Sequence, residues 1–180
     1  MQIYSKRNNF YFSESILHEN KNLLLFGLIL FTFPLLPLNQ LIVGAIVNAL
    51  LIKSVISFKS NKVFLLSIIP SLAVFLGGVL FASITPQILL MLPAIWISNF
   101  VLMFLTRKLI VQNKRGYFSS TLVASILKTI ILFSITLILF YFGLVPLIFL
   151  TMFGVMQFIT AESGVVLVYL HKKIVVKNFK

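Results

Sequence analysis

Long apolar stretches separated by short polar connections make up most of the chain. The first runs from Leu23 to about Leu38 and is interrupted by Pro34 and Pro37. The second covers about Gln40 to Phe58, the third Val63 to Ala82 with Pro70 in its middle, and the fourth Gln87 to Leu105 with Pro93. Two more follow, at Ser119 to Phe142 and Val145 to Leu170. Most approach the roughly 20 residues that an α-helix needs to cross a hydrocarbon core. The pattern predicts an all-α integral membrane bundle of six transmembrane helices over residues 23–170. The Pro-rich join near Leu38 leaves a second option for the first two runs, a broken hairpin in place of two full spans. Val111 to Ser119 is the only sizeable internal loop, and no repeat strong enough to indicate an inverted-repeat transporter stands out.

The flanks are basic. Residues 1–22 form an N-terminal arm and 171–180 a basic tail. Lys6 and Arg7 ahead of an apolar run resemble a signal sequence, but no small-residue cleavage site follows Leu38, so the run reads as a retained span. Residues 8–21, with Phe10, Tyr11, Phe12, Ile16 and Leu17, read either as an amphipathic helix on the inner membrane surface, N-capped by Ser13, or as a flexible arm.

Charge orients the bundle. All Lys and Arg residues except Lys128 fall in four places: before the first run, around the second connection, around the fourth, and at the end. The turns near Leu38-Asn39, Ser83-Thr85 and Gly143-Val145 carry none. Because positive charge is retained on the cytoplasmic side, this alternation predicts both termini in the cytoplasm of a multi-pass plasma-membrane protein.

Composition narrows the chemistry. A mean hydropathy of +1.11 and 10% charged residues leave too little polar surface for a soluble globule. The net charge of +12 flanks apolar runs, which indicates contact with anionic lipid headgroups and no nucleic acid. There is no cysteine, hence no disulfide, thiolate nucleophile or cysteine-held iron–sulfur cluster. The acids are Glu14, Glu19 and Glu162 and the histidines His18 and His171, so no metal site, cofactor or catalytic cluster is expected. A phosphate-binding loop is absent as well, so energy for any transport comes from a partner or a gradient.

Polar residues inside the apolar runs are the functional clues, because they are costly in hydrocarbon and face the bundle interior. Asn48, Asn99, Lys128, Gln157 and Glu162 are of this kind. Lys128 and Glu162 each lie nine residues from the inner ends of their runs, at Ser119 and His171. At a rise of ~1.5 Å per residue both are roughly 13 Å deep, which suits a Lys128–Glu162 pair. Such a pair either addresses opposite charges on a polar ligand or neutralises itself and sets helix packing. The amides of Asn48, Asn99 and Gln157 suit recognition of a heterocycle or serve as interhelical hydrogen bonds. Trp96, near mid-span, stacks on an aromatic ligand or packs against neighbouring helices. Ala45 and Ala49, four apart beside Gly44 and Asn48, let a second helix approach closely, within the chain or from another subunit.

The segments Gly44-Ala-Ile-Val-Asn48, Ile69-Pro70-Ser-Leu with Gly77-Gly78, and Leu92-Pro93-Ala-Ile-Trp96-Ile-Ser-Asn99 carry a resemblance. Lys128 and Met156-Gln157-Phe-Ile-Thr160-Ala161-Glu162-Ser-Gly164 extend it. Over about Leu23 to Leu170 the chain resembles the substrate-binding S-components of energy-coupling-factor (ECF) transporters, in particular an uncharacterised S-component-like family sometimes labelled iron hydrogenase. A chain without cysteine does not suit that label. The resemblance implies capture of a vitamin or other micronutrient, with a separate transmembrane coupling subunit and ATPase subunits driving its movement. It also implies docking through small residues four apart on the first helix. Here that spacing falls on the second, at Ala45 and Ala49. A further departure is depth, since family pockets open outwards whereas the polar residues lie in the inner half. Two rival readings remain beside it: a small structural subunit of a larger membrane complex, and an autonomous carrier with Glu162 as its proton site.

Overall fold

The computed structural model describes residues 19–77 and 85–178. The expected inner-surface helix with its Ser13 cap falls, up to residue 18, outside the described residues, as does Gly78. Among those described there is helix and turn and no strand.

Residues 19–32 form helix α1, which tightens into a 3-10 turn at Phe33–Leu35. Helix α2, Gln40–Ser57, starts where the Asn39 side chain accepts the N–H of Leu41 at 2.8 Å. That satisfies one of the donors a helix start leaves open. The next apolar run is not one helix. A 3-10 stretch, Asn61–Ser67, capped by Ser60, passes through Ile68 into α3, Ile69–Gly77. Pro70 sits in the first turn of α3, where its missing N–H costs nothing. The 3-10 form is drawn out, rising about 2.0 Å per residue against ~1.5 Å in an α-helix. Asn61–Gly77 therefore reaches roughly 27 Å, close to a hydrocarbon core of about 30 Å.

Helix α4, Thr85–Thr106, accommodates Pro93 and continues into a π-turn at Arg107–Gln112. Lys114 adopts a left-handed φ of 52° and stops it. Helix α5, Tyr117–Tyr141, ends in a turn at Gly143, whose φ of +69° suits glycine. The last run is again divided, into α6, Ile148–Phe153, and α7, Val155–Asn178. The break is at Gly154, where a Cβ would lie 2.5 Å from Leu150 O and 2.9 Å from the Phe133 ring. The apolar run expected from Val145 to Leu170 is thus one stretch divided at Gly154, and the described part of the run from Val63 to Ala82 changes from 3-10 to α near Ile68.

Among the described residues, four helical stretches are long and apolar enough to cross a membrane: Gln40–Ser57, Gln87–Gln112, Tyr117–Tyr141 and Ile148–Ile174. Asn61–Gly77 is a shorter apolar one. Their outer faces are inverted relative to a soluble bundle. On α5, Ser120, Thr121, Ser125, Lys128 and Thr136 are buried, while Ile130, Phe133, Leu137 and Ile138 are exposed. An apolar exterior with polar groups inside is what hydrocarbon selects.

Among the described residues, the basic connections and the ends of the first and last helices meet at one end of the bundle. Glu19 Oε1 accepts the N–H groups of Lys59 and Ser60 at 2.7 and 2.8 Å. Arg107 donates to the carbonyls of the same two residues and lies over the Phe64 ring. Lys53 Nζ is 3.3 Å from His171 Nε2, and Tyr117 OH donates to Val165 O at 2.9 Å. The turns at Leu38-Asn39 and Gly143-Val145 lie at the other end.

Candidate solute-binding cavity

A close approach of α2 and α7 positions the site. A Cβ on Gly164 of α7 would lie 2.7 Å from Ala49 N and 2.9 Å from Ala45 O of α2, and one on Gly44 would lie 2.9 Å from Thr160 Cγ2. The small residues Ala45 and Ala49 thus admit α7 of the same chain. This contact brings Asn48 and Thr160 face to face in the interior.

From there a polar network follows. Asn48 Nδ2 donates to Thr160 Oγ1 at 3.3 Å, and Thr160 Oγ1 donates to Gln157 O at 3.1 Å. Lys128 Nζ, on α5, donates to Asn48 Oδ1 at 2.5 Å. The Thr160 proton is committed to a carbonyl, so its oxygen can only accept from Asn48. Asn48 must then turn its nitrogen to Thr160 and its oxygen to Lys128, an assignment made by the network and not by the side chain's shape. All three side chains are at least 96% buried.

Each of these residues stands near the midpoint of its helix: Asn48 in Gln40–Ser57, Lys128 in Tyr117–Tyr141, and Thr160 in Ile148–Ile174. Asn99 does so in Gln87–Gln112, donating from Nδ2 to Ser67 O at 3.1 Å. Asn48, Asn99 and Lys128, expected in the inner half, thus stand at mid-helix in the bundle.

A cavity of about 100 Å³ opens onto this group. Asn48, Asn99, Lys128 and Gln157 line it, together with Gln40, Ser71 and Thr160. Its other walls are apolar, including Val74, Ile95, Phe153 and Met156. Pro34, Gln40 and Leu41 extend it towards the end of the bundle without basic residues. The Oδ1 of Asn99 and the side-chain amides of Gln40 and Gln157 make no hydrogen bond among the described residues, so they are available to a guest. Lys128 retains two of its three N–H groups. The break at Gly154 serves the cavity too, since Met152 and Phe153 reach it from α6 and Met156 and Gln157 from α7.

Trp96 stands behind the wall. Its indole N–H donates at 2.7 Å to the Oγ of Ser71, which does face the cavity. Glu162 is elsewhere. It lines a shallow groove formed by α7 alone, beside Phe158, Ile159 and Val166, and its Oε1 is buried without a hydrogen bond. The expected Lys128–Glu162 pair is thus replaced by Lys128–Asn48. The reason is angular: α7 turns Thr160 and Gly164 towards α2, and two positions along an α-helix is about 200° of rotation, which carries Glu162 away.

Sequence reasoning missed Gln40, Ser71 and Thr160 as cavity residues. Thr160 follows Gln157 by three positions, the spacing of one helix face, and Ser71 follows Pro70 in the first turn of α3. Gln40 looked like a span boundary. No family model, no curated protein and no solved structure matches the chain.

Proposed function

We propose that the protein is a membrane-embedded substrate-capture subunit of an ECF-type importer for a vitamin or other micronutrient, with a binding role and no catalytic one. The observation that carries this reading is the cavity between the helix midpoints, lined by polar groups with unspent hydrogen-bonding capacity. A purely structural subunit has no use for a lysine and four amides around an otherwise apolar void. Ligand sites in membrane bundles favour this depth and this mixture of apolar wall and convergent polar groups.

In this reading the chain crosses the plasma membrane six times, with both termini and the basic end in the cytoplasm. The stretched Asn61–Gly77 segment supplies the third crossing and α1 the first. The cavity then faces outwards, the direction a capture subunit requires. Driving force comes from a separate transmembrane coupling subunit and ATPase subunits. The position of Glu162, apart from the cavity, weighs against an autonomous carrier that uses it as a proton site.

The test is a mild-detergent pull-down of the tagged chain from its native membranes, with mass spectrometry of proteins and small molecules. Recovery of a coupling subunit, ATPases and a retained metabolite is expected. A chain recovered alone and empty would overturn the reading.

A further inference from the structure

We infer that the cavity takes a small organic anion, a carboxylate or similar acidic group on an apolar body, held by Lys128 and sorted by charge. The inference rests on the capture reading and adds the chemical class of the solute.

Among the described residues Lys128 is the only ionisable one in the cavity wall, and it is 98% buried. Among the described residues no acid lines the cavity, and Lys128 meets only the neutral Asn48 oxygen. An ammonium group enclosed in this way has hydrogen-bonding support but no counter-charge, and a buried charge is costly until one arrives. The one membrane-depth acid, Glu162, points elsewhere, so the protein does not supply it. An arriving anion supplies it, and meets the two N–H groups that Asn48 leaves free. The same charge excludes amines, because a like charge in a dry cavity is repelled.

The rest of the wall fits a guest of this kind. Asn48 binds Lys128 through its oxygen and Thr160 through one N–H, and acts as a positioning residue that aims the ammonium. Gln40 and Gln157 provide donors for further acceptor oxygens. Val74, Ile95, Phe153 and Met156 provide the surface for an apolar body.

The protein carries its own reporter. Trp96 is the chain's single tryptophan, and its indole N–H is bonded to Ser71 on the cavity wall. The experiment titrates the purified full chain in detergent micelles with hexanoate, hexylamine and hexan-1-ol while following Trp96 emission. Wild type is compared with Lys128→Met and with Asn48→Asp. The second substitution is isosteric and installs an internal counter-charge beside Lys128 without removing it, so it separates loss of charge from loss of fold. Hexanoate is expected to give a saturable change at concentrations roughly tenfold below the other two, and both variants to weaken it by about tenfold or more. Amine or alcohol binding as well as hexanoate, with Asn48→Asp indifferent, would overturn the anion assignment and leave solute capture standing. No response to any of the three would overturn both.

Discussion

Asn48 Oδ1 and Lys128 Nζ, 80 positions apart in the chain, meet at 2.5 Å in the middle of two different helices. Neither group has an alternative partner of comparable geometry. Asn48→Leu therefore leaves an enclosed ammonium without an acceptor, at about 2–3 kcal/mol. The double variant with Lys128→Met removes both ends and is expected to recover much of that loss. Thermal unfolding of the four proteins of this cycle in detergent measures the coupling. Simple additivity would mean that the bond contributes nothing.

Helix approach gives a ranked expectation. At Gly164 the nearest atoms are backbone, Ala49 N and Ala45 O, which cannot rotate away. At Gly44 the nearest belong to the Thr160 side chain. Gly164→Ala should cost about 1–3 kcal/mol through overpacking, and Gly44→Ala less. Unfolding temperatures in the reverse order would show that α2 and α7 are not packed as described.

At the charged end, the Glu19 carboxylate closes the Lys59-Ser60 turn by accepting both N–H groups. Glu19→Ala frees them, and amide exchange at Lys59 and Ser60 should accelerate by roughly tenfold. Glu19→Gln keeps an acceptor oxygen and should fall between. Hydrogen–deuterium exchange resolved to this turn decides it; unchanged rates in Glu19→Ala would place the protection elsewhere.

Orientation can be read with thiol chemistry, because the chain has no cysteine of its own. Arg115→Cys marks the basic end and Leu144→Cys the uncharged one. A membrane-impermeant maleimide applied to intact cells should label Leu144→Cys and spare Arg115→Cys. Labelling of both, or of Arg115→Cys alone, would refute the proposed topology.

Hydropathy located the helical runs well, because length and apolarity are one-dimensional properties. It did not show that Asn61–Ser67 is 3-10, since an apolar run looks alike under either hydrogen-bond pattern. Pro70 and Gly154 marked where the third and last runs divide, yet each is also tolerated inside a helix. The site was partly legible for the same reason. Polar residues in apolar runs had to turn inwards, and Asn48, Asn99, Lys128 and Gln157 do line one cavity. Pairing Lys128 with Glu162 used depth alone, and depth says nothing about rotation around the helix axis. Gly164 and Thr160 set that rotation, through contacts 112 positions away in the case of Asn48.

The gathering of basic residues at one end also bears on how the molecule behaves after insertion. Carrying one elementary charge across a membrane potential involves about 2.3 kcal/mol per 100 mV. Lys53, Lys59, Lys62, Arg107, Lys108, Lys114 and Arg115 would all have to cross together, at an energised membrane and through hydrocarbon. In the proposed topology these charges together oppose inversion of the folded protein. In that topology, any motion of the bundle leaves these seven cations on the cytoplasmic side.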